Sequence, residues 1–237
     1  MPPIQNPEAI NEFIHSFSVV SFGFVFYYFF TGSPSFKLWE SLKSDNTRPV
    51  LIQRLTGIFF FGFVPIIMIL FFLRSNLTNY GTGIPDYKTL IWLLLLSVVI
   101  IPLNYSKSKN TDNLSHYPQI RNPEWSYSLL LLSALSWIAY LFAYEFLFRG
   151  FFLFTSVAVL GIWPAIILNA GVYSLVHIPK GSKETLGAIP FGILLAYLVI
   201  ETGSFWIAFF AHVILALSNE WFSLAAQPEM HLKKYKT

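Results

Sequence analysis

SYSLLLLSALSWIAYLFAYEFLFRGFFLFTSVAVL, residues 126–160, is an apolar run broken by one carboxylate and one guanidinium, Glu145 and Arg149. Thirty-five helical residues would cover about 52 Å at 1.5 Å each, well beyond the ~30 Å hydrocarbon core of a bilayer. The stretch must therefore be bent, lie partly in the interface, or comprise two elements. How often it crosses sets the sidedness of the chain. A single crossing puts Lys37, Lys43, Arg48, Arg54, Lys107, Lys109, Arg121, Lys180, Lys183, Lys233, Lys234 and Lys236 on one side, with Arg74 and Lys88 opposite. A double crossing moves the last five over and balances the two sides. The positive-inside tendency selects the single crossing, with the N-terminus outside, the C-terminus cytoplasmic and Glu145 in the inner half of the bilayer.

The rest of the composition agrees with a membrane chain. Hydrophobic residues make up 55% and charged residues 11% of 237, against roughly 25% charged in soluble domains. Apolar runs at about 13–31, 55–73, 87–104, 126–160, 162–178, 186–202 and 205–224 predict an all-α, polytopic transmembrane bundle of about seven spans. Residues 1–125 read as N-terminal helices and loops, 126–224 as a core of the last four helices around a polar cavity, and 225–237 as a basic cytoplasmic tail. MPPIQNPEAINEF has no Lys or Arg before the first apolar run, so 13–31 reads as a span and not a cleaved leader. The absence of cysteine excludes thiol nucleophiles, thiolate metal sites and disulfides. Basic residues confined to loops suit membrane topology and argue against nucleic-acid binding.

Charges inside such spans are costly and by default functional. Glu145 and Arg149 are one helical turn apart, His177 ends the next helix in YSLVHIPKGSKE, and His212 lies in WIAFFAHVILALSNEW. A carboxylate with two imidazoles suffices to activate water, directly or through a metal. The blander alternatives are a self-neutralising i,i+4 pair for Glu145 and Arg149 and a capping role for His177. His15, His116 and His231 read as bland. Asn169 reads as a helix–helix hydrogen bond, Glu220 as interfacial, and Trp125, Trp163, Trp206 and Trp221 as aromatic-belt residues. Neither H-E-x-x-H nor G-x-S-x-G occurs, so any metal site needs ligands from separate helices.

YEFLFRGFF, YSLVHIPKG and FGILLAYLVIETGSFWIAFFAH together resemble the CAAX-protease and bacteriocin-processing (CPBP, or Abi) family of intramembrane proteases over roughly residues 126–222. The family pattern is Glu-Glu-x-x-x-Arg, Phe-x-x-x-His and His-x-x-x-Asn or Asp on successive core helices. Arg149, His177 and His212 match it, and Glu145 matches the second glutamate. Tyr144 stands at the first glutamate, credited in the family with water activation; Tyr173 replaces the Phe and Ala216 the Asn or Asp. The resemblance implies an endopeptidase of a bacterial plasma membrane acting on a membrane-associated peptide. Glu145, or Glu184 in its place, would work with His177 on the water. His212, with Asn219 as substitute amide, would stabilise the oxyanion, and Arg149 would hold the helix in register. No cofactor is required, although Glu145, His177 and His212 are the set that would take zinc. The alternatives are an inactive pseudoprotease that binds membrane peptides and a small transporter or channel.

Overall fold

The computed structural model describes residues 6–32 and 47–233. Lys37, Lys43, Lys234 and Lys236 of the charge reading, and the side chain of Lys180, lie outside the described residues. Among the described residues eight helices follow one another: α1 (Pro7–Gly32), α2 (Arg48–Phe72), α3 (Tyr87–Lys107), α4 (Thr111–His116), α5 (Tyr127–Leu160), α6 (Ile162–Leu175), α7 (Ser182–Thr202) and α8 (Trp206–Ala226). Two short parallel strands, Glu124–Trp125 and His231–Leu232, join the loop before α5 to the segment after α8. Six of these are long and apolar enough to cross a membrane. The seventh expected span is the 14-residue α6, about 21 Å long, continued by the 3-10 turn Ile178–Lys180. The protein is an all-α, multi-pass integral membrane protein.

Local chemistry sets the helix ends. Asp86 caps α3 by accepting from the Thr89 amide at 3.0 Å, and Ser126 caps α5 by accepting from Leu129 at 3.1 Å. Each side-chain oxygen satisfies a first-turn N–H that has no partner within the helix. Gly203, at φ +63°, ends α7 in the left-handed region that glycine enters without Cβ strain.

The run at 126–160 resolves as one helix of 34 residues, wound as a π-helix over Phe146–Phe152. It runs once between two ends of the bundle. At one end Lys183 Nζ meets Asp112 Oδ2 at 2.7 Å, and the Lys233 amide donates to the Trp125 carbonyl at 2.8 Å. At the other the Phe205 amide donates to the Gly81 carbonyl at 3.1 Å, and Trp206 Nε1 to the Gly83 carbonyl at 2.9 Å. The loops around 105–125, 176–181 and 227–233 thus gather opposite those at 73–86 and 203–205.

Outward faces are apolar: Phe22 and Val25 on α1, Phe71 on α2, Leu94 and Val98 on α3, Trp163 and Ile167 on α6 are all exposed. That is the composition hydrocarbon requires and water penalises. Inside, aromatics interlock. Phe24 of α1 stacks on Phe61 of α2 at 4.3 Å, and both present ring edges or faces to Tyr144 of α5 near 6 Å. The first two helices therefore pack directly on the motif residue Tyr144.

Two expectations fail. Trp125 is fully buried, packed with Ile120 and Leu224, because the strand pair folds it under the end of α8 and away from the lipid interface. Glu220 is 1% exposed: it faces the interior, where Arg54 of α2 lies beside it. The apolar run of α2 begins at 55, but the helix begins at Arg48. Arg54 is consequently an interior residue and not a loop charge.

α2 approaches α5 closely at Gly57, where a Cβ would lie 2.2 Å from Tyr140 Cε2. Gly57→Val should cost about 1–3 kcal/mol through overpacking, read as a lower Tm in detergent. Gly171→Ala, with nothing within 4 Å of the added Cβ, should change stability by no more than about 0.5 kcal/mol.

Candidate active site

Glu145 sits at the turn of α5 where α-helical winding gives way to π. A π turn carries about one residue more than an α turn, so it alters which side chains of FLFRGFF face the bundle. Glu145 and Arg149 are both fully buried. Glu145 Oε1 lies 2.6 Å from His212 Nδ1 of α8, and Oε2 faces Arg149 Nε at 3.5 Å. The Arg149 guanidinium lies 4.0 Å over the Tyr173 ring. A carboxylate oxygen at this distance from a ring nitrogen accepts its hydrogen bond. His212 must then carry its proton on Nδ1, leaving the lone pair on Nε2.

His177, at the end of α6, is fixed the same way. Its Nδ1 lies 2.8 Å from the Tyr173 carbonyl, and a carbonyl can only accept, so Nδ1 is the protonated nitrogen and Nε2 carries the lone pair. Both imidazoles are 9% exposed. Tyr144 lies between them, with ring centroids 5.9 Å from His212 and 6.4 Å from His177. Tyr173 stands 4.6 Å from His177 and 6.4 Å from His212. α7 closes the site from the other side at Phe191, 6.4 Å from His212. Close approach of α6 and α7 rests on Gly192, whose missing Cβ would stand 3.1 Å from Tyr173 Cδ1.

The structure thus brings together Glu145, Arg149, Tyr144, His177 and His212. Glu184 lies in the first turn of α7, and Asn219 lies toward the end of α8. Glu184 lies at the bundle end against the half-buried Tyr117; burial, then this carboxylate, push the Tyr117 hydroxyl well above its ordinary range. Asn219 is half-buried, about two turns down α8 from His212. Asn169 donates to the Phe148 carbonyl at 2.8 Å, tying α6 to α5 as expected of a helix–helix contact. Among the described residues no three His, Asp or Glu side chains come together as a metal-holding group. Glu145 turns Oε1 to His212 and Oε2 to the Arg149 guanidinium.

Sequence reasoning missed the Tyr173 carbonyl that fixes His177, since backbone partners leave no mark on residue identity. It also missed that Glu145 and His212 touch each other. Their separation of 67 positions carries no period, and only the order of the motifs pointed there.

With this geometry in place, residues 125–218 match the family described as Type II CAAX prenyl endopeptidase Rce1-like. The stretch from α5 into α8 is thus similar to that family of CAAX proteases. No curated protein and no solved structure matches the chain.

The pairing makes Arg149 a structural necessity. Arg149→Met should cost about 3–5 kcal/mol, because it strands a buried carboxylate beside a single imidazole. Tyr144→Phe removes a buried hydroxyl that has no hydrogen-bond partner and should leave the Tm unchanged or higher. Thermal unfolding of the two purified variants checks both.

Proposed function

We propose that the protein is an intramembrane endopeptidase that hydrolyses a peptide bond of a membrane-associated peptide, with His212 as the general base. The observation that supports this most strongly is the buried contact of 2.6 Å between Glu145 Oε1 and His212 Nδ1. A carboxylate that holds one imidazole nitrogen orients the ring and stabilises the imidazolium that forms. Glu145 acts through His212, with Oε1 on the ring and Oε2 facing Arg149.

In this scheme a water donates a hydrogen bond to His212 Nε2. The proton moves to Nε2 while the water oxygen bonds to the scissile carbonyl carbon. The resulting tetrahedral oxyanion needs a donor, and two candidates flank the dyad: His177 in its protonated form, through Nε2–H, and the Tyr144 hydroxyl. Collapse breaks the C–N bond, and the proton held on His212 passes to the leaving amine. Arg149 holds the Glu145 carboxylate charged throughout. Tyr144, at the place of the family's first glutamate, supplies no base, which is why the base role falls to an imidazole. No step runs through a metal.

Among the described residues, Lys107, Lys109, Arg121 and Lys183 gather at one end, with Arg74 and Lys88 toward the other. The positive-inside tendency makes the first end cytoplasmic, in a bacterial plasma membrane with the C-terminus inside. His177, at the end of α6, then lies toward the cytoplasmic leaflet.

Purified protein should cleave members of a library of membrane-associated peptides, prenylated and unprenylated, in detergent or liposomes. His212→Ala and Glu145→Gln should each lower kcat by about 10²–10⁴. Wild-type rates in both variants overturn the scheme, and tight peptide binding without turnover makes the protein a pseudoprotease.

A further inference from the structure

The second set of buried charges lies outside the family-matched stretch and outside the mechanism. Arg54 of α2 and Glu220 of α8 are 2% and 1% exposed, with Arg54 NH2 3.9 Å from Glu220 Oε1. Arg54 NH1 donates to the Ser133 carbonyl at 2.8 Å and to Ser136 Oγ at 2.7 Å, and NH2 to Gln119 Oε1 at 3.2 Å. Its guanidinium lies 4.3 Å over the Trp137 ring. Glu220 accepts from the Gln119 amide and from Ser133 Oγ, both at 3.3 Å. One arginine from α2 thus grips α5, the loop before it, and a carboxylate of α8.

Glu220 follows His212 by eight residues, about 12 Å along the same helix. In a bilayer, apolar packing fixes helix register weakly, because lipid tails are as apolar as leucine; directional polar contacts do more of that work. α8 is held by such contacts at successive depths: His212 on Glu145, the Leu215 carbonyl and Ser218 Oγ on Asn104, both at 2.7 Å, then Glu220. A slip of one residue along α8 would carry His212 away from Glu145 by 1.5 Å and turn it by about 100°.

We infer that Arg54 and Glu220 are positioning residues that set the register of α8 and thereby hold His212 Nδ1 on Glu145. The inference rests on the His212–Glu145 dyad but not on peptidase activity. The probe is the Nδ1–H resonance of His212 in 15N-histidine-labelled protein, tractable because the chain has five histidines and assignable by its loss in His212→Asn. Arg54→Met/Glu220→Leu removes both buried charges together, the change such pairs tolerate best. This folded double variant should lose the resonance, and kcat for any cleaved peptide should fall by about 100-fold. Ser16→Ala, which breaks the buried 2.6 Å contact of Ser16 with Thr155, should retain it. Should the double variant not fold, Glu220→Gln keeps an acceptor for Gln119 and Ser133 without the charge, and should weaken the resonance. An unchanged resonance in a folded variant overturns the inference. Its absence from wild type overturns the dyad and the inference together. A resonance lost as expected in a protein that cleaves no peptide supports the positioning role and overturns only the peptidase reading.

Discussion

A carboxylate buried among phenylalanines must be answered by positive charge and hydrogen bonds, and the architecture is organised around answering Glu145. Arg149 supplies the charge from the next turn of the same helix, 3.5 Å away. His212 supplies the hydrogen bond from the last helix. Tyr173 shields the guanidinium face and, through its carbonyl, sets the tautomer of His177. Meeting the electrostatic demand of Glu145 therefore fixes the His212 ring, while the Tyr173 carbonyl fixes the His177 ring nearby. Stability and chemistry share the same contacts here.

The N-terminal helices take part in that arrangement although the family match begins at residue 125. α1 and α2 press Phe24 and Phe61 on Tyr144, closing one wall of the site. α2 also sends Arg54 across to α5 and α8. A core cut out at residue 125 would expose the Tyr144 face and leave Glu220 buried without its arginine, and a lone buried charge is strongly destabilising.

Much of this was legible in the sequence, for a physical reason. In hydrocarbon an ionisable residue is expensive, so Glu145, Arg149 and His212 stand out from an apolar background as they would not in a soluble helix. The single crossing by α5 was legible too, because positive charge sorts by side. Arg54 and Glu220 escaped because each lies where an apolar run meets a polar one, and composition there cannot separate a buried charge from a solvated one. Asn219 was placed by counting along an ideal helix, and Glu184 by folding the loop after His177 back over the site. The π turns of α5 and the contact of Glu184 with Tyr117 obey tertiary packing, which such counting does not contain. Trp125 looked interfacial by position, yet a pairing between strands far apart in sequence buries it.

The central claim is that Glu145 and His212 form one buried unit. Solid-state NMR of protein in lipid can measure the dipolar coupling between the Glu145 side-chain carboxyl carbon and His212 Nδ1, using 13C-glutamate and 15N-histidine labels with His212→Asn for assignment. Strong dephasing at the His212 Nδ1 position, as an Oε1–Nδ1 contact of 2.6 Å requires, is the predicted result. Absence of that coupling in folded wild-type protein would contradict the account.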